Sequence, residues 1–449
     1  MSSGRLTRRG YVRAAGAGAA TVLLTACGGG ETAGGSTAGK ANAPRITLTA
    51  YVGVQGNQQQ TFDSEIAQAY ARQQPNVDVQ LLPQPAGGEA GMREKLATMI
   101  AGGTPPDIWE YATIAETMVK LDWLVPLDEQ VKKDKVDLSV YAKGLFDYVA
   151  RYQGKQWMLP YGHGGNTMVM ALNPQLFAEA GVALPSTNLQ TTWSWNDWVE
   201  ALRKLTKQQG TDLTQVGVAD PGSFKASYPL LWQTDWVAAD LKTIICDNAD
   251  LVECYTRYFE LSNRLHVAPR PNELQQFFGQ RTATDTFNAG KAAATNMAPA
   301  SILPFTQEKR FEITLAPLPR GKVVVPDVNW HSYGVIKGSK QQEASWKLVR
   351  WLVDQARWSR FAGKIPAQSN EQLPWLQDQF KAFKTPRLEA ITNMLAAAVP
   401  QVRLFRLTAY PAVNDAITQA FNTKVLTGQS DPGTVLKELK PQLQGIVGN

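Results

Sequence analysis

The hydrophobic pattern of the chain alternates between strand-like and helix-like spacing. Apolar and polar positions alternate over residues 46–51, and residues 61–73 then place apolar side chains on one helical face. Residues 77–81 alternate again, and residues 92–100 return to helical spacing. Such repetition is typical of a parallel sheet with helices on its faces, so the predicted fold class is α/β.

The ends of the predicted strands indicate where a ligand would bind. In open α/β sheets, ligands bind beyond the carboxyl ends of the strands. The first predicted strand ends at Tyr51 to Gln55, and another ends at Trp109 to Tyr111 after the break at Gly102 to Pro106. We therefore expect these two segments to line a cleft.

A helix start is visible near residue 194. Ser194 is a predicted N-cap with Asp197 three residues later, and Trp198 begins an apolar face. For Trp193, Trp195 and Trp198 we favour core packing over ligand contact, because aromatic side chains dominate buried cores. The last third of the chain has further helical stripes at 344–352, 413–421 and 435–443.

The N-terminus has the order of an export signal. Residues 1–26 contain four arginines and no acidic residue, and the apolar run from Ala14 to Ala26 is shorter than the roughly 20 residues needed to span a membrane. Thr7 to Arg13 resembles a twin-arginine signal, with an ordinary secretory signal as the alternative. The predicted signal peptide is 1–26.

Leu24 to Cys27 resembles a bacterial lipobox, in which the cysteine sulfur accepts a lipid and becomes the first mature residue. Residues 28–43 are rich in Gly, Ala, Ser and Thr and lack the apolar residues needed for a core. We expect 27–43 to be a lipidated flexible tether. The protein would then lie on the outer side of the cytoplasmic membrane, periplasmic or at the cell surface.

Length and composition limit the number of domains and the classes of function that the sequence supports. Residues 27–449 are too many for one core, since domains seldom exceed about 250 residues, so two domains are expected. The formal charge of +6, less the four signal arginines, leaves about +2 in scattered positions, which gives no support for nucleic-acid binding. Cys246 and Cys254 would pair as a disulfide or remain separate buried thiols.

Metal chemistry has little support in the sequence. The three histidines, His163, His266 and His331, have no ligand-like spacing, and there is no cysteine cluster. We expect no metal and no cofactor. His163 and His331 could approach each other across the cleft in a hydrogen-bonding or structural role.

Several segments, in order along the chain, resemble the extracellular solute-binding protein family 1 of ABC importers, which includes maltose-binding-protein-like lipoproteins. The most specific are 96–109 (LATMIAGGTPPDIW), 152–161 (YQGKQWMLPY), 171–177 (ALNPQLF) and 192–198. Leu172 and Ala294 depart from the family pattern, which leaves the substrate open.

The resemblance implies a two-lobed, hinged periplasmic-binding-protein-like fold with the ligand in the cleft. By analogy the N-terminal lobe comprises 44–159 and 299–339, and the C-terminal lobe 160–298 and 340–449. Crossovers would fall near Leu159 to Gly162, near Asn296 to Ala300 and near Lys340.

The resemblance also implies a monomeric, non-enzymatic protein that captures a sugar by lobe closure and delivers it to permease subunits. A sugar site combines aromatic platforms with a few hydrogen-bonding groups. Glu110 could be a hydroxyl acceptor or a solvated charge, and Trp232 and Trp330 could contact ligand or pack in the core. The candidate ligand-binding residues are Tyr51, Gln55, Trp109, Glu110, Tyr161, His163, Trp232, Trp330 and His331.

Two alternatives remain open. The same fold could bind a phosphorylated polyol, a polyamine or a metal chelate, although no cluster of basic residues appears near the predicted strand ends. A secreted carbohydrate-active enzyme would need two carboxylates about 5 to 10 Å apart, and no motif nominates such a pair.

Overall fold

The computed structural model describes residues 44–53, 62–85, 88–112, 114–163, 169–220, 226–297, 310–325, 327–328, 330–354, 364–384, 386–400 and 402–448. The predicted signal peptide, Cys27 and the tether lie outside the described residues. The strands are β1 Ile46–Val52, β2 Val77–Leu82, β3 Ile108–Tyr111, β4 Arg151–Tyr152, β5 Lys155–Gln156, β6 Met158–His163, β7 Val169–Leu172, β8 Lys207–Gln209, β9 Asp212–Val218, β10 Ala292–Met297, β11 Thr314–Ala316, β12 Asp327–Val328, β13 Trp330–Val335 and β14 Val399–Pro400.

Helices connect and cover these strands. A π-helical turn, Phe62–Ala67, leads into the first α-helix, and short 3₁₀ helices span Tyr228–Trp232 and Arg403–Arg406. The α-helices are α1 Gln68–Gln73, α2 Gly88–Ala101, α3 Ala115–Lys120, α4 Asp128–Lys133, α5 Lys143–Ala150, α6 Pro174–Glu179, α7 Trp195–Leu205, α8 Ala249–Asn263, α9 Pro271–Phe278, α10 Ala283–Asn288, α11 Gln342–Val353, α12 Ser369–Gln379, α13 Glu389–Ala396, α14 Tyr410–Ala420 and α15 Pro432–Gly448.

The first lobe is built on a five-stranded sheet in the order β2-β1-β3-β13-β6. Strands β1, β2 and β3 are parallel, while β13 runs antiparallel to both β3 and β6. Apolar side chains fill both faces, as expected for a sheet covered by helices. Helix α11 packs Trp346, Leu348 and Leu352 into one of these cores.

The second lobe is built on another five-stranded sheet in the order β11-β7-β10-β9-β8. Its core is aromatic where helix α8 meets the C-terminal helices: Trp236, Tyr255, Phe259 and Phe421 pack with ring centroids 5.2 to 6.5 Å apart. The expected division into two α/β lobes therefore matches two sheets with separate cores.

The predicted lobe boundaries need correction. Strand β6 pairs with β13 of the first sheet through His163, so the first crossover lies between His163 and Val169, after the predicted 159–162. Strand β11 still belongs to the second sheet, so the return falls between Ala316 and Trp330 rather than near 296–300. Helix α11 packs on the first lobe, so the last crossover follows Val353 rather than Lys340.

The predicted helix start at Ser194 is confirmed. The Ser194 hydroxyl accepts a hydrogen bond from the Asp197 backbone N–H, and the Asp197 carboxylate accepts one from the Ser194 N–H. This reciprocal pair satisfies two helix-end donors. Trp195 and Trp198 are buried in the second-lobe core, as expected, and Trp193 packs against Phe177.

Cys246 and Cys254 are separate, buried free thiols in the structure, so of the two alternatives the disulfide is not formed. The Cys246 thiol donates a hydrogen bond to the Leu436 carbonyl at 3.4 Å, and burial raises its pKa to about 12. Both residues have a packing role in this lobe.

Along the described part of the chain, no helix combines the length and apolar character that a membrane crossing requires.

Candidate functional site

Four strands of the first sheet place polar or aromatic residues at one edge. The parallel strands β1 and β3 end there at Val52 and Tyr111. Strand β13 runs the opposite way and so begins at this edge with Trp330, which is paired with His163 at the end of β6. The carboxyl edge of the sheet therefore collects side chains from three distant parts of the sequence.

Glu110 is the centre of this edge. Its side chain is only 1% exposed, and its Oε1 accepts a hydrogen bond from the Tyr161 hydroxyl at 2.8 Å. His331 Nδ1 lies 2.6 Å from the same oxygen, and the backbone N–H of Gly53 donates to Oε2 at 2.7 Å. Because the carboxylate has three partners and is buried, Glu110 fixes its neighbours in place and is not the solvated charge that was one of its two expected roles.

The charge state of this cluster follows from its surroundings. Burial alone would raise the pKa of Glu110, but His331, Lys364 and the Gly53 N–H together hold it below its ordinary value. Burial and the nearby Lys364 lower the pKa of His331 despite the opposing effect of Glu110. At neutral pH the pair is therefore a carboxylate and a neutral imidazole whose Nδ1–H donates to it.

Tyr111 and Gly53 form the open side of the same edge. The Tyr111 ring is partly exposed and lies 5.4 Å from the His331 ring. A Cβ atom at position 53 would lie 2.7 Å from Tyr111 Cδ2, so glycine is needed for the ring to lie over the backbone here. Tyr111 thus presents an aromatic face beside an imidazole, a combination suited to a polar ring with C–H faces.

His163 is enclosed rather than open to a ligand. It is 4% exposed, its Nδ1 accepts a hydrogen bond from Trp330 Nε1 at 2.9 Å, and its Nε2 lies 3.2 Å from the side-chain amide of Gln372. Burial lowers its pKa to about 3, so it is neutral. His163 and His331 lie on neighbouring strands of one sheet, so an approach across the cleft, which the sequence left open, does not occur. His163, on β6, thus connects strand β13 through Trp330 with helix α12 through Gln372.

The second sheet has its own polar group at the carboxyl ends of β9 and β10. Asp220 Oδ2 accepts hydrogen bonds from the Asn296 backbone N–H at 3.2 Å and from the Thr295 hydroxyl at 3.4 Å. The Asn296 side-chain amide in turn donates to the Tyr228 hydroxyl. A second cluster of hydrogen-bonding side chains therefore occupies the matching edge of the second lobe.

The first crossover keeps the two edges near each other at one point. Strand β6 ends at His163 and β7 begins at Val169, so six peptide steps join the edges and limit their separation there to about 20 Å. The lobes also touch through an ion pair, in which Arg406 Nη2 and Nε lie 2.5 and 3.1 Å from Glu116 Oε2.

Four of the predicted aromatic residues are buried in packing contacts. Tyr51 and Trp109 are fully buried with ring centroids 5.5 Å apart, and the Tyr51 hydroxyl donates to the Met92 carbonyl. Trp232 is 2% exposed and meets Trp195 edge-on, and Trp330 is 1% exposed against His163. Each of these side chains fills a core or supports another residue, so none offers a ligand platform in this conformation.

The other predicted site residues differ in where they lie in the structure. It brings Glu110, Tyr161 and His331 together, whereas Gln55 lies outside the described residues. Sequence reasoning missed Lys364 as a site residue. It did not nominate Gly53 or Tyr111 individually, although both lie in the strand-end segments expected to line the cleft. Among the described residues, no group of three or more His, Cys, Asp or Glu side chains could hold a metal ion.

Two α/β lobes, each with a polar cluster at the ends of its sheet strands, are typical of two-lobed binding proteins. A model of the bacterial extracellular solute-binding protein family matches residues 55–356, more than half of the chain, so the chain belongs to that family. The expected family and fold are confirmed.

Solved structures share this fold over most of the chain. An ABC substrate-binding protein from Listeria monocytogenes, in complex with cycloalternan, is 23% identical with a TM-score of 0.72, covering 90% of this chain and 99% of that one. The sugar-binding protein MalE from Xanthomonas citri is 18% identical with a TM-score of 0.71, covering 90% and 98%. M. tuberculosis UspC is 20% identical with a TM-score of 0.70, covering 89% and 100%.

Proposed function

We propose that this protein captures a sugar or oligosaccharide between its two lobes and delivers it to the permease of an ABC importer. The observation that carries the proposal is the Glu110 cluster, which holds His331 beside the partly exposed Tyr111 ring at the carboxyl edge of the first sheet. A sugar offers hydroxyls to an imidazole and a C–H face to an aromatic ring. The sugar-binding names of similar folds support this ligand class.

Capture would proceed by hinge closure. The first-lobe edge presents Tyr111 and His331, and the second-lobe edge presents the Asp220 and Asn296 cluster. Rotation about the crossovers brings the two edges onto opposite sides of the ligand, excludes water and strengthens each hydrogen bond. Release to the permease reverses the rotation, and the sugar leaves unchanged because the protein acts as a binder and not as an enzyme.

Delivery to a permease requires the protein to stay near the membrane. The proposed route to this location is export through the twin-arginine signal at Arg8 and Arg9, followed by lipidation of Cys27. Residues 28–43 would then act as a tether for a monomeric binding protein on the outer side of the membrane. The extracellular family to which the chain belongs supports export.

The ligand class is tested by titrating purified protein with neutral and acidic mono- and oligosaccharides, polyamines and glycerol phosphate in a calorimeter. We expect saturable binding of at least one sugar, weakened tenfold or more by Tyr111→Ala because the aromatic face is lost. Tyr152→Ala is the matched control, since this partly exposed tyrosine lies on β4, which precedes the amino end of β6 and is remote from the carboxyl edge. Binding of a polyamine or phosphate and of no sugar would contradict the proposal.

The enzyme alternative is tested on the same ligands. Each sugar that binds is incubated with the protein for a day and analysed by mass spectrometry. We expect the sugar to be recovered intact. Cleavage products that increase with protein concentration would show a carbohydrate-active enzyme instead.

The anchor is tested with Cys27→Ser. We expect the variant to appear in the soluble fraction with unchanged sugar affinity, while the unaltered chain stays with the membrane. Arg8→Lys with Arg9→Lys is expected to block export, because twin-arginine signals depend on the arginine pair. Membrane retention of the serine variant would show that Cys27 is not the anchor.

A further inference from the structure

Lys364 is a charged residue in the cleft region that the proposed sugar site leaves unused. It begins a short segment that pairs with the end of β6: His163 N–H donates to the Ile365 carbonyl at 2.7 Å, and Ala367 N–H donates to the Tyr161 carbonyl at 3.0 Å. These two bonds place Lys364 at the carboxyl edge of the first sheet. Its side chain is partly buried and lies within electrostatic range of both Glu110 and His331.

The Lys364 ammonium has no partner within the protein that the structure describes. Glu110 is the nearby anion, but its two oxygens are taken by Tyr161, His331 and Gly53, and it forms no ion pair with Lys364. An ammonium carries three donors and accepts none, and leaving them unmet as water is excluded is unfavourable. Acceptor atoms on a ligand at this position would satisfy these donors.

His331 supplies the complementary group. Its Nδ1–H donates to the Glu110 carboxylate, so the neutral ring keeps a lone pair on Nε2, which makes no hydrogen bond with any described residue. The edge thus offers one charged donor beside one neutral acceptor. A carboxylate next to a hydroxyl matches this pair, because the carboxylate accepts from the ammonium and the hydroxyl donates to the imidazole.

We propose that Lys364 and His331 form a subsite for the acidic unit of a sugar, a uronic acid with its carboxylate on Lys364 and a neighbouring hydroxyl on His331 Nε2. This inference rests on the proposed function and names its substrate class. A charge-assisted hydrogen bond to a carboxylate is roughly twice as strong as one to a neutral hydroxyl, which favours the acid over its neutral counterpart. The Glu110 carboxylate repels a second negative charge, so a monoanionic carboxylate is favoured over a dianionic phosphate.

The test compares matched pairs that differ only at C6: glucose with glucuronate, galactose with galacturonate, and α-1,4-linked galactobiose with digalacturonate. Glucose 6-phosphate serves as the dianionic probe. Affinities are measured by calorimetry at low and at physiological salt. We expect the acid of at least one pair to bind ten times more tightly or better than its neutral partner, with the difference shrinking as salt is raised.

Lys364→Met and Lys364→Gln are expected to remove the preference for the acid, because they weaken binding of the acid more than binding of the neutral sugar. Two replacements are used in case one of them misfolds. The Tm of each variant is measured to show that it is folded. Lys381→Met is the matched control, because this lysine is exposed and pairs with Asp378 at the surface. The control should keep the full preference.

Four results would overturn the inference. Tighter binding of the neutral sugar in every pair, or of glucose 6-phosphate over the acids, would reject the uronate and leave the proposed sugar function standing. An equal loss of acid and neutral binding in the Lys364 variants would show a merely structural lysine. Failure of every sugar to bind would reject the proposed function as well.

Discussion

His331 Nδ1 lies 2.6 Å from Oε1 of Glu110, although 221 residues separate the two in the chain. The contact is made possible by the antiparallel pairing of β13 with β3, which sets Tyr333 opposite Glu110 and carries His331 to the strand end. The pair sits where a ligand between the lobes would touch the first sheet. It therefore links the long-range topology directly to the chemistry of the site.

Glu110→Gln should destabilise the first lobe. A glutamine has one acceptor oxygen, so its amide N–H group would face either the Gly53 N–H or the Tyr161 and His331 donors, leaving buried donors unpaired. Such a loss costs about 1–3 kcal/mol in the free energy of unfolding, more when a charge is removed. Urea denaturation would measure it. Glu343→Gln, at a highly exposed position on α11, is the control and should change stability by less than about 0.5 kcal/mol.

Acid should unfold the protein partly through His163. Its pKa is about 3 in the folded state, below the ordinary value of 6.5, so the folded state resists binding the proton that the unfolded chain takes up. The stabilisation is complete above pH 6.5 and is lost as the pH falls from 6.5 toward 3. His331, whose pKa is also lowered, acts in the same direction.

Unfolding free energies measured between pH 7 and pH 4 should show this loss. The contribution of His163 to the free energy of unfolding can change by about 1.4 kcal/mol per pH unit, which corresponds to the uptake of one proton on unfolding. His163→Gln should be less stable at pH 7 but show a shallower slope. His266→Gln, at an exposed position, is the control variant. Parallel slopes for all three proteins would exclude His163 as the titrating group.

The sequence predicts the α/β class well because strand and helix spacing are local properties. The cap at Ser194 and Asp197 is equally local, since both partners lie within one turn. The lobe boundaries were wrong because they depend on non-local pairing: nothing near Met158 to His163 shows that this strand joins Trp330 to Val335 in the first sheet.

The site was predicted only in part for a similar reason. Glu110 stands out as an acidic residue after an apolar strand, but its partners Tyr161 and His331 are 51 and 221 residues away. Aromatic residues at strand ends were expected to contact ligand, yet successive strand residues point to opposite faces. Trp109 accordingly joins Tyr51 in the core beneath the cleft. Lys364 was not nominated as a ligand contact because its place at the sheet edge depends on the backbone pairing of its segment with β6.

Gly53→Ala should disturb Tyr111 specifically. The added methyl group would lie 2.7 and 2.8 Å from two ring atoms, so the partly exposed ring must turn away. We expect sugar affinity to fall five- to tenfold and stability to fall by less than about 1 kcal/mol, at the low end of overpacking effects because the ring can move outward. In a Tyr111→Ala background the stability cost of Gly53→Ala should disappear. An undiminished cost there would place the clash elsewhere.

The ion pair between Arg406 and Glu116 should couple the two lobes. Both side chains are partly buried, and two guanidinium nitrogens approach one carboxylate oxygen, which gives a firmer contact than a fully exposed pair. A double-mutant cycle with Arg406→Ala and Glu116→Gln should yield about 0.5–1 kcal/mol of coupling in the free energy of unfolding. Lys120→Ala removes another cation from Glu116 but within helix α3, and it serves as the control. A second measurement tests the lobe contact directly. Small-angle scattering of ligand-free protein should show a larger radius of gyration for Arg406→Ala than for Lys120→Ala. Equal radii, together with additive stability effects, would show that this contact does not hold the lobes together.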